Sequence, residues 1–402
     1  MRNFSIHDTV WKNPGHELDK IDKDNHFYFL GKVDEVISFI QKHGFKTSDM
    51  WLKILGDFHE CHPQPDAGEI GFASEEEAWE DDNRIIIHVS YDRGDWESAL
   101  DKWKGRGGIL NENFFQGEVF AAVYKVYALG EIHIDRIEIF LTSLCTLNCE
   151  KCIAYIPYFK KPVITPLQQL KDDADLLFEK VDYVHKMKLL GGEGFLYPFL
   201  IEYVDYLYEH YGNRIGSIRI GTNGTIFPGQ AVLEMCKRNQ VTVDISDYTK
   251  AVPNMCMLED VKAVFESPAG RLQIIENGVA VDVKRTGEEW LDMGFPSNPP
   301  EEKTEEGLKG HFHKCAMFCR QFSKGKYYFC CSNYAAVLAG MFPDDENNYL
   351  DFRREISKKE LLEFELGFSR KGHTTFCNVC RGCSEEANPC RVEVARQVKR
   401  GR

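Results

Sequence analysis

The sequence predicts an α/β protein in three domains. Strand-like apolar runs alternate with helix-like spacing as far as Phe295, the strands of the middle stretch end in short polar or glycine-rich loops, and the cysteines cluster instead of spreading evenly. At 402 residues the chain exceeds one ordinary core. The expected boundaries are residues 1–130, a small Rossmann-like α/β domain; 131–295, a second α/β domain; and 296–402, a cysteine-rich tail domain.

In the first stretch, His26 to Gly31 reads as a strand ending on glycine, and Val33 to His43 has helical apolar spacing. Met50 to Asp57 and Arg84 to Val89 read as further strands, and Trp96 to Lys104 as a helix. Ser74 and Glu77 form a capping box ahead of Ala78. Strands alternating with helices imply a small parallel sheet. Its first turn holds only Gly31, not the three spaced glycines of a dinucleotide site, so a docking or structural role is expected, with Asp57 a strand-end residue. His59, Cys61 and His62 stand close together, but the prolines beside them suggest a surface loop before a metal site.

In the second stretch, Arg136 to Thr142 is a strand that leads directly into cysteines. Thr165-Pro-Leu-Gln168 reads as a helix start with threonine as cap, and Leu167, Leu170, Ala174, Leu177, Val181 and Val184 line one face. Lys188 to Leu190 runs into Gly191-Gly-Glu-Gly194, Ile215 to Ile220 into Gly221-Thr-Asn-Gly224, and Val241 to Ser246 into Asp247-Tyr248. Four such loops share one rim of a parallel sheet or barrel, where ligands bind. Ser297 to Glu306, with two adjacent prolines, reads as an exposed linker.

Composition narrows the class. Apolar residues are 43% and charged residues 28%, as in globular proteins, and the net charge of −14 argues against nucleic acid as the main partner. No apolar run approaches the roughly 20 residues that span a bilayer, and the start lacks a secretion-signal layout, so no membrane partner and a cytoplasmic location are expected. Of 14 cysteines, three fall within Cys145 to Cys152 and eight lie beyond residue 310. In a reducing cytosol such clusters are metal ligands before they are disulfides.

Cys145, Cys149 and Cys152 put three thiolates on one short loop, enough for three irons of a cubane cluster, leaving the fourth iron open to a small chelating ligand. A structural zinc site wants four protein ligands, and no fourth stands nearby. This Cys-x3-Cys-x2-Cys resembles the signature of the radical S-adenosylmethionine (radical SAM) enzymes, and Gly191-Gly-Glu193 resembles their Gly-Gly-Glu-Pro. Gly194 replaces the proline, and Lys151 replaces an aromatic residue before the third cysteine. The resemblance covers roughly Ile132 to Lys284. It implies a partial (β/α)6 TIM-like barrel, a 4Fe–4S cluster on Cys145, Cys149 and Cys152, and S-adenosylmethionine held by Gly191, Gly192, Glu193, Gly194, Thr222, Asn223 and Ser246. An Asn-Gly turn alone also explains Gly221 to Gly224.

In the tail, Cys315-x9-Gly325-x4-Cys330 followed by Cys377-x2-Cys380 resembles the SPASM and twitch auxiliary-cluster domains, with a tyrosine-rich hairpin carrying Cys330. The resemblance implies one auxiliary 4Fe–4S cluster on Cys315, Cys330, Cys377 and Cys380. Cys319, Cys331, Cys383 and Cys390 are left spare, and either a second cluster or a zinc site from the tail cysteines stays open. The implied activity is reductive cleavage of S-adenosylmethionine to a 5′-deoxyadenosyl radical, supplied with electrons by a flavodoxin or ferredoxin, followed by oxidation or epimerisation of a small molecule. The domain layout is similar to radical enzymes acting on sugars, aminocyclitols or surface polysaccharides. Modification of a ribosomal peptide is the alternative substrate reading, and a non-catalytic iron–sulfur sensor or scaffold the alternative class. Cys236 and Cys256 are candidate hydrogen donors, against a plain buried role for each.

Overall fold

The computed structural model describes residues 21–55, 70–90, 92–257, 259, 280–285, 289–297, 299, 302–315, 319–366, 373–384 and 388–398. Asp57, His59, Cys61 and His62 lie outside these residues. The chain divides into two compact units: residues 1–132 with 309–316 and 357–373, and residues 133–308 with 317–356 and 374–402.

The first unit contains β1 (His26–Leu30), β2 (Trp51–Leu55), β3 (Gly71–Ala73), β4 (Arg84–His88) and β5 (Phe114–Gln116). All pair in parallel in the order β3-β2-β1-β4-β5, a doubly wound arrangement that covers both sheet faces. Alternation along β1 shows the cause. Phe27 and Phe29 meet Phe39, Phe45, Phe120 and Tyr124 on one side, with ring centroids 5.1–6.4 Å apart. Tyr28 points to the other side, where it shares a core with Ala78, Ile86, Trp96, Trp103 and Phe114. Helix Val33–His43 ends on Gly44 at φ 66°, and Ser74 caps helix Glu75–Glu80 by accepting the Glu77 N–H, as the sequence predicts.

The second unit is built on β6 (His133–Thr142), β7 (Tyr183–Gly191), β8 (Ile218–Thr222), β9 (Thr242–Asp247) and β10 (Ala280–Arg285), which pair in parallel in sequence order. A separate pair joins β11 (Glu289–Leu291) to β15 (Arg391–Glu393). Beyond β6 the main sheet continues through β12 (Arg320–Ser323), β13 (Lys326–Tyr328) and β14 (Tyr349–Asp351), giving eight strands. Here β12 is parallel to β6, while β13 and β14 are antiparallel to their neighbours. The predicted hairpin is present. Lys324 and Gly325 both take positive φ, as a two-residue hairpin turn requires, and the buried Asp173 carboxylate accepts both their N–H groups at 2.8 and 2.7 Å.

One predicted cap is corrected. Helix Leu167–Lys180 begins after Pro166, and Thr165 does not cap it. The Thr165 N–H donates to the Leu141 carbonyl and its hydroxyl to the Phe140 carbonyl, both at 2.9 Å. Pairing of this segment with the end of β6 takes the hydroxyl away from the helix.

Candidate functional site

Strand β6 delivers its chain into the loop that holds Cys145, Cys149 and Cys152. Their side chains share one apolar cluster with Leu147, Tyr248, Val252, Trp290 and Ala395. Burial pushes the Cys145 thiol up to about 12 and Cys149 up to about 11, and raises Cys152 as well. A bound cation reverses that penalty, because a coordinated thiol is deprotonated outright. Three thiols gathered among apolar side chains therefore fit a metal cluster as its ligands.

The end of β7 presses against this loop. A Cβ on Gly191 would stand 2.1 Å from the Thr142 carbonyl oxygen, and one on Gly192 would stand 2.2 Å from that of Leu144 and 2.8 Å from the Cys145 Cβ. Only glycine allows the approach, and the Gly192 and Glu193 N–H groups use it, donating to Thr142 and Leu144 at 2.7 Å each. At Gly194 a Cβ would meet the Gly221 carbonyl at 2.7 Å, so the motif's proline has no room here.

Glu193 is fully buried. One carboxylate oxygen accepts the Phe195 N–H at 3.1 Å and the other accepts the Asn223 N–H at 2.8 Å, with Thr222 also bonding to it. It thus ties the end of β7 to the end of β8. Asn223 passes the connection on, its Nδ2 donating to the Cys145 Sγ at 3.5 Å and to the Thr146 hydroxyl at 3.1 Å. Lys151 turns to Asp292 and Ser297.

A contact that the sequence reading missed clamps the loop from the far end of the chain. Residues 394–398 lie along it: Gln397 Nε2 donates to the Cys149 Sγ at 3.3 Å, and its Oε1 accepts the Asn148 N–H at 2.7 Å. The Glu150 and Val398 N–H groups complete the pairing with the carbonyls of Arg396 and Asn148. No local pattern announces pairing across some 250 residues.

A cavity of about 320 Å³ opens beside these loops. Its rim includes Gly191, Gly192, Thr222, Asn223, Ser246 and Tyr248, and its floor is charged. Arg136 and Glu138 of β6 form an ion pair there, and Lys188 of β7 meets Asp244 of β9 at 3.1 Å. Arg219 also binds Asp244, and reaches Asp282 at 2.8 Å. A cavity so lined suits a polar, hydrogen-bonding molecule. Alternating charges on these strands were the available signal.

Of the remaining candidates, Cys236 is buried in helix Gln230–Arg238 and does not line the cavity. Cys256 lies near Gly224 and Thr249, where its sulfur is 3.8 Å from the Thr249 hydroxyl. Lys303 donates to the carbonyls of Cys377 and Cys380 at 2.9 and 3.2 Å, and the buried Tyr155 lies in the field of Cys330, Cys380 and Cys152. Cys315 belongs to the first unit. The spare cysteines Cys319 and Cys331 line the cavity, which their spacing did not suggest.

The fold is that of an α/β protein with a parallel sheet, and solved structures of radical SAM enzymes resemble it. BtrN in complex with AdoMet and 2-DOIA matches 65% of this chain and 100% of its own at 14% identity, with a TM-score of 0.40. anSMEcpe with bound AdoMet matches 62% and 89% at 14% identity, with a TM-score of 0.37. SuiB of Streptococcus suis, bound to S-adenosylmethionine, matches 38% and 29% at 15% identity, with a TM-score of 0.23. No family model and no curated protein matches by sequence. Likeness of this degree carries no argument by itself, so the functional reading rests on the site. Among the described residues no helix is long and apolar enough to cross a membrane.

Proposed function

We propose that the chain is a radical SAM enzyme acting on a small polar molecule. One observation carries the reading: three thiols on the loop after β6, Cys149 buried and Cys145 and Cys152 partly buried, lie against the glycine edge of β7, beside a cavity with a charged floor. In this reading Cys145, Cys149 and Cys152 hold a 4Fe–4S cluster, and the parallel strands of the second unit form a partial barrel. When bound, the cluster and S-adenosylmethionine would supply the radical chemistry that removes a hydrogen atom from the substrate.

The chain's own residues position and shield. Gly191 and Gly192 offer bare backbone to the amino-acid end of S-adenosylmethionine, and Thr222, Asn223 and Ser246 line the path of the remainder. Glu193 holds the Gly191 edge and the Asn223 loop in fixed relation. Tyr248 and Trp290 keep water from the thiols, their rings 5.9 Å apart. Arg136, Lys188 and Asp244 orient the substrate through hydrogen bonds. That floor favours a hydroxylated or charged small molecule, such as a sugar derivative, over an apolar one. Oxidation or epimerisation, a cytoplasmic location, a flavodoxin or ferredoxin donor, and an auxiliary cluster drawing on Cys330, Cys377 and Cys380 belong to the same proposal.

The test is release of 5′-deoxyadenosine from S-adenosylmethionine by anaerobically reconstituted, reduced protein. Release that disappears in the Cys145→Ala/Cys149→Ala/Cys152→Ala variant supports the reading. No release under any reducing condition moves the sensor or scaffold reading to the front.

A further inference from the structure

Three donor groups that the radical chemistry does not use meet on the cavity wall. Among the described residues, Glu138, Cys319 and Cys331 are the one group of potential metal donors whose ligand atoms all lie within 4.8 Å of one another. The fold brings them together by pairing. β12 runs parallel to β6 with Gln321 opposite Glu138, so Cys319, two residues before Gln321, shares its face of the sheet. Across the hairpin the Cys331 N–H donates to the Cys319 carbonyl at 2.9 Å, and the two sulfurs lie within 4.8 Å of each other.

We propose that Glu138, Cys319 and Cys331 bind a mononuclear thiophilic divalent cation, with zinc as its type, and that its fourth position opens onto the cavity. Tetrahedral zinc with ~2.3 Å bonds to sulfur places two sulfurs about 3.8 Å apart, so the group needs little closing. One Glu138 oxygen already accepts from Arg136, which leaves the other for the metal. Charge balances as well. Two thiolates and a carboxylate carry three negative charges, which a divalent cation and the Arg136 guanidinium neutralise, and the two thiol protons leave to solvent on binding. Two sulfurs with one oxygen select zinc over magnesium or calcium, which take all-oxygen sets. Three protein ligands and an open position are the form of a site that binds a substrate heteroatom, whereas a purely structural zinc is closed by four. The site stands whether or not S-adenosylmethionine is cleaved.

The test uses the full chain, purified anaerobically, reconstituted with iron and sulfide, stripped with a mild chelator and then given zinc. Zinc per chain, iron per chain and the zinc X-ray absorption spectrum are measured together. One zinc with two sulfur neighbours and lighter atoms is expected. Cys319→Ser and Cys331→Ser should each weaken zinc binding by more than about 100-fold with iron content unchanged, while Cys390→Ser keeps it. Zinc content indifferent to both cysteine variants overturns the site, as does a four-sulfur spectrum. A loss of about four irons in Cys319→Ser overturns it too, making that cysteine a cluster ligand. If either variant fails to fold, the wild-type spectrum alone decides, by two sulfurs or four.

Discussion

In the first unit β1 and β4 bury apolar side chains on both faces, whereas in the second β6, β7 and β9 turn arginine, glutamate, lysine and aspartate toward a cavity. The carboxyl ends of the strands differ in the same way. In the doubly wound sheet, where a ligand would sit at the switch between β1 and β4, a Cβ on Gly31 would stand 2.5 Å from the Val89 carbonyl, and the Val89 N–H donates to the Leu30 carbonyl at 2.7 Å. The backbones close that crevice. Gln116, at the end of β5, spends its side-chain oxygen on the N–H groups of Glu118 and Val119. In the second unit the close approach at Gly191 and Gly192 instead gathers the thiol loop and leaves space beside it. One architecture is completed as a core and the other as a site. The arrangement of strands alone does not separate them, and the polarity of the inward side chains does.

The largest effect should come from Asp244, which pairs with Lys188 on the cavity floor and with Arg219 beside it. Asp244→Ala leaves the half-buried Lys188 without its carboxylate and Arg219 with Asp282 alone, and should cost about 3–5 kcal/mol, read as a lower denaturant midpoint. A neutral outcome would mean that the floor is solvated and the contrast between units overstated.

Next is a pH effect confined to the first unit. His88 is 4% exposed and its Nδ1 has no partner, and burial lowers its pKa from 6.5 to about 4. The unfolded chain therefore takes up this proton first on acidification. The stability that His88 contributes is full above pH 6.5 and is lost as pH falls from there toward 4, roughly 3 kcal/mol in all. His88→Phe should flatten that slope without touching the thiol loop. An unchanged slope would place the acid sensitivity elsewhere.

Glu193→Gln should have the smallest effect on stability, about 1–3 kcal/mol, because an amide nitrogen then faces one of two backbone N–H donors. It sharpens the comparison by separating positioning from charge. If Glu193 acts by holding Asn223, the variant weakens S-adenosylmethionine binding together with protection of the Asn223 amide from hydrogen exchange. Weakened binding with that amide still protected would assign the carboxylate a direct contact.

Legibility in the sequence follows the range of the interactions. Strand positions, the Ser74 cap, the tyrosine-rich hairpin after Gly325 and the three-cysteine loop were readable because each is encoded within a few neighbouring residues. Thr165 misled for the same reason: its local pattern is a cap, but the strand beside it takes the hydroxyl. The clamp of Gln397 on Cys149 and the meeting of Cys319 with Glu138 depend on distant pairings that leave no local trace. Spacing pointed to Cys315 and Cys330 as partners, while hairpin register put Cys331 against Cys319. The charged floor was present as alternating residues along β6 and β7, and needed only the knowledge of which face points inward.

In the proposed function Cys145, Cys149 and Cys152 would hold a 4Fe–4S cluster, with S-adenosylmethionine bound at Gly191 and Gly192. The most direct test is the paramagnetic resonance spectrum of the reduced, reconstituted protein before and after S-adenosylmethionine is added. The account predicts a signal that changes on addition and is missing, with about four irons, from the triple alanine variant at these cysteines. A spectrum with no part that responds to S-adenosylmethionine, or a responsive part that survives in the variant, would contradict it.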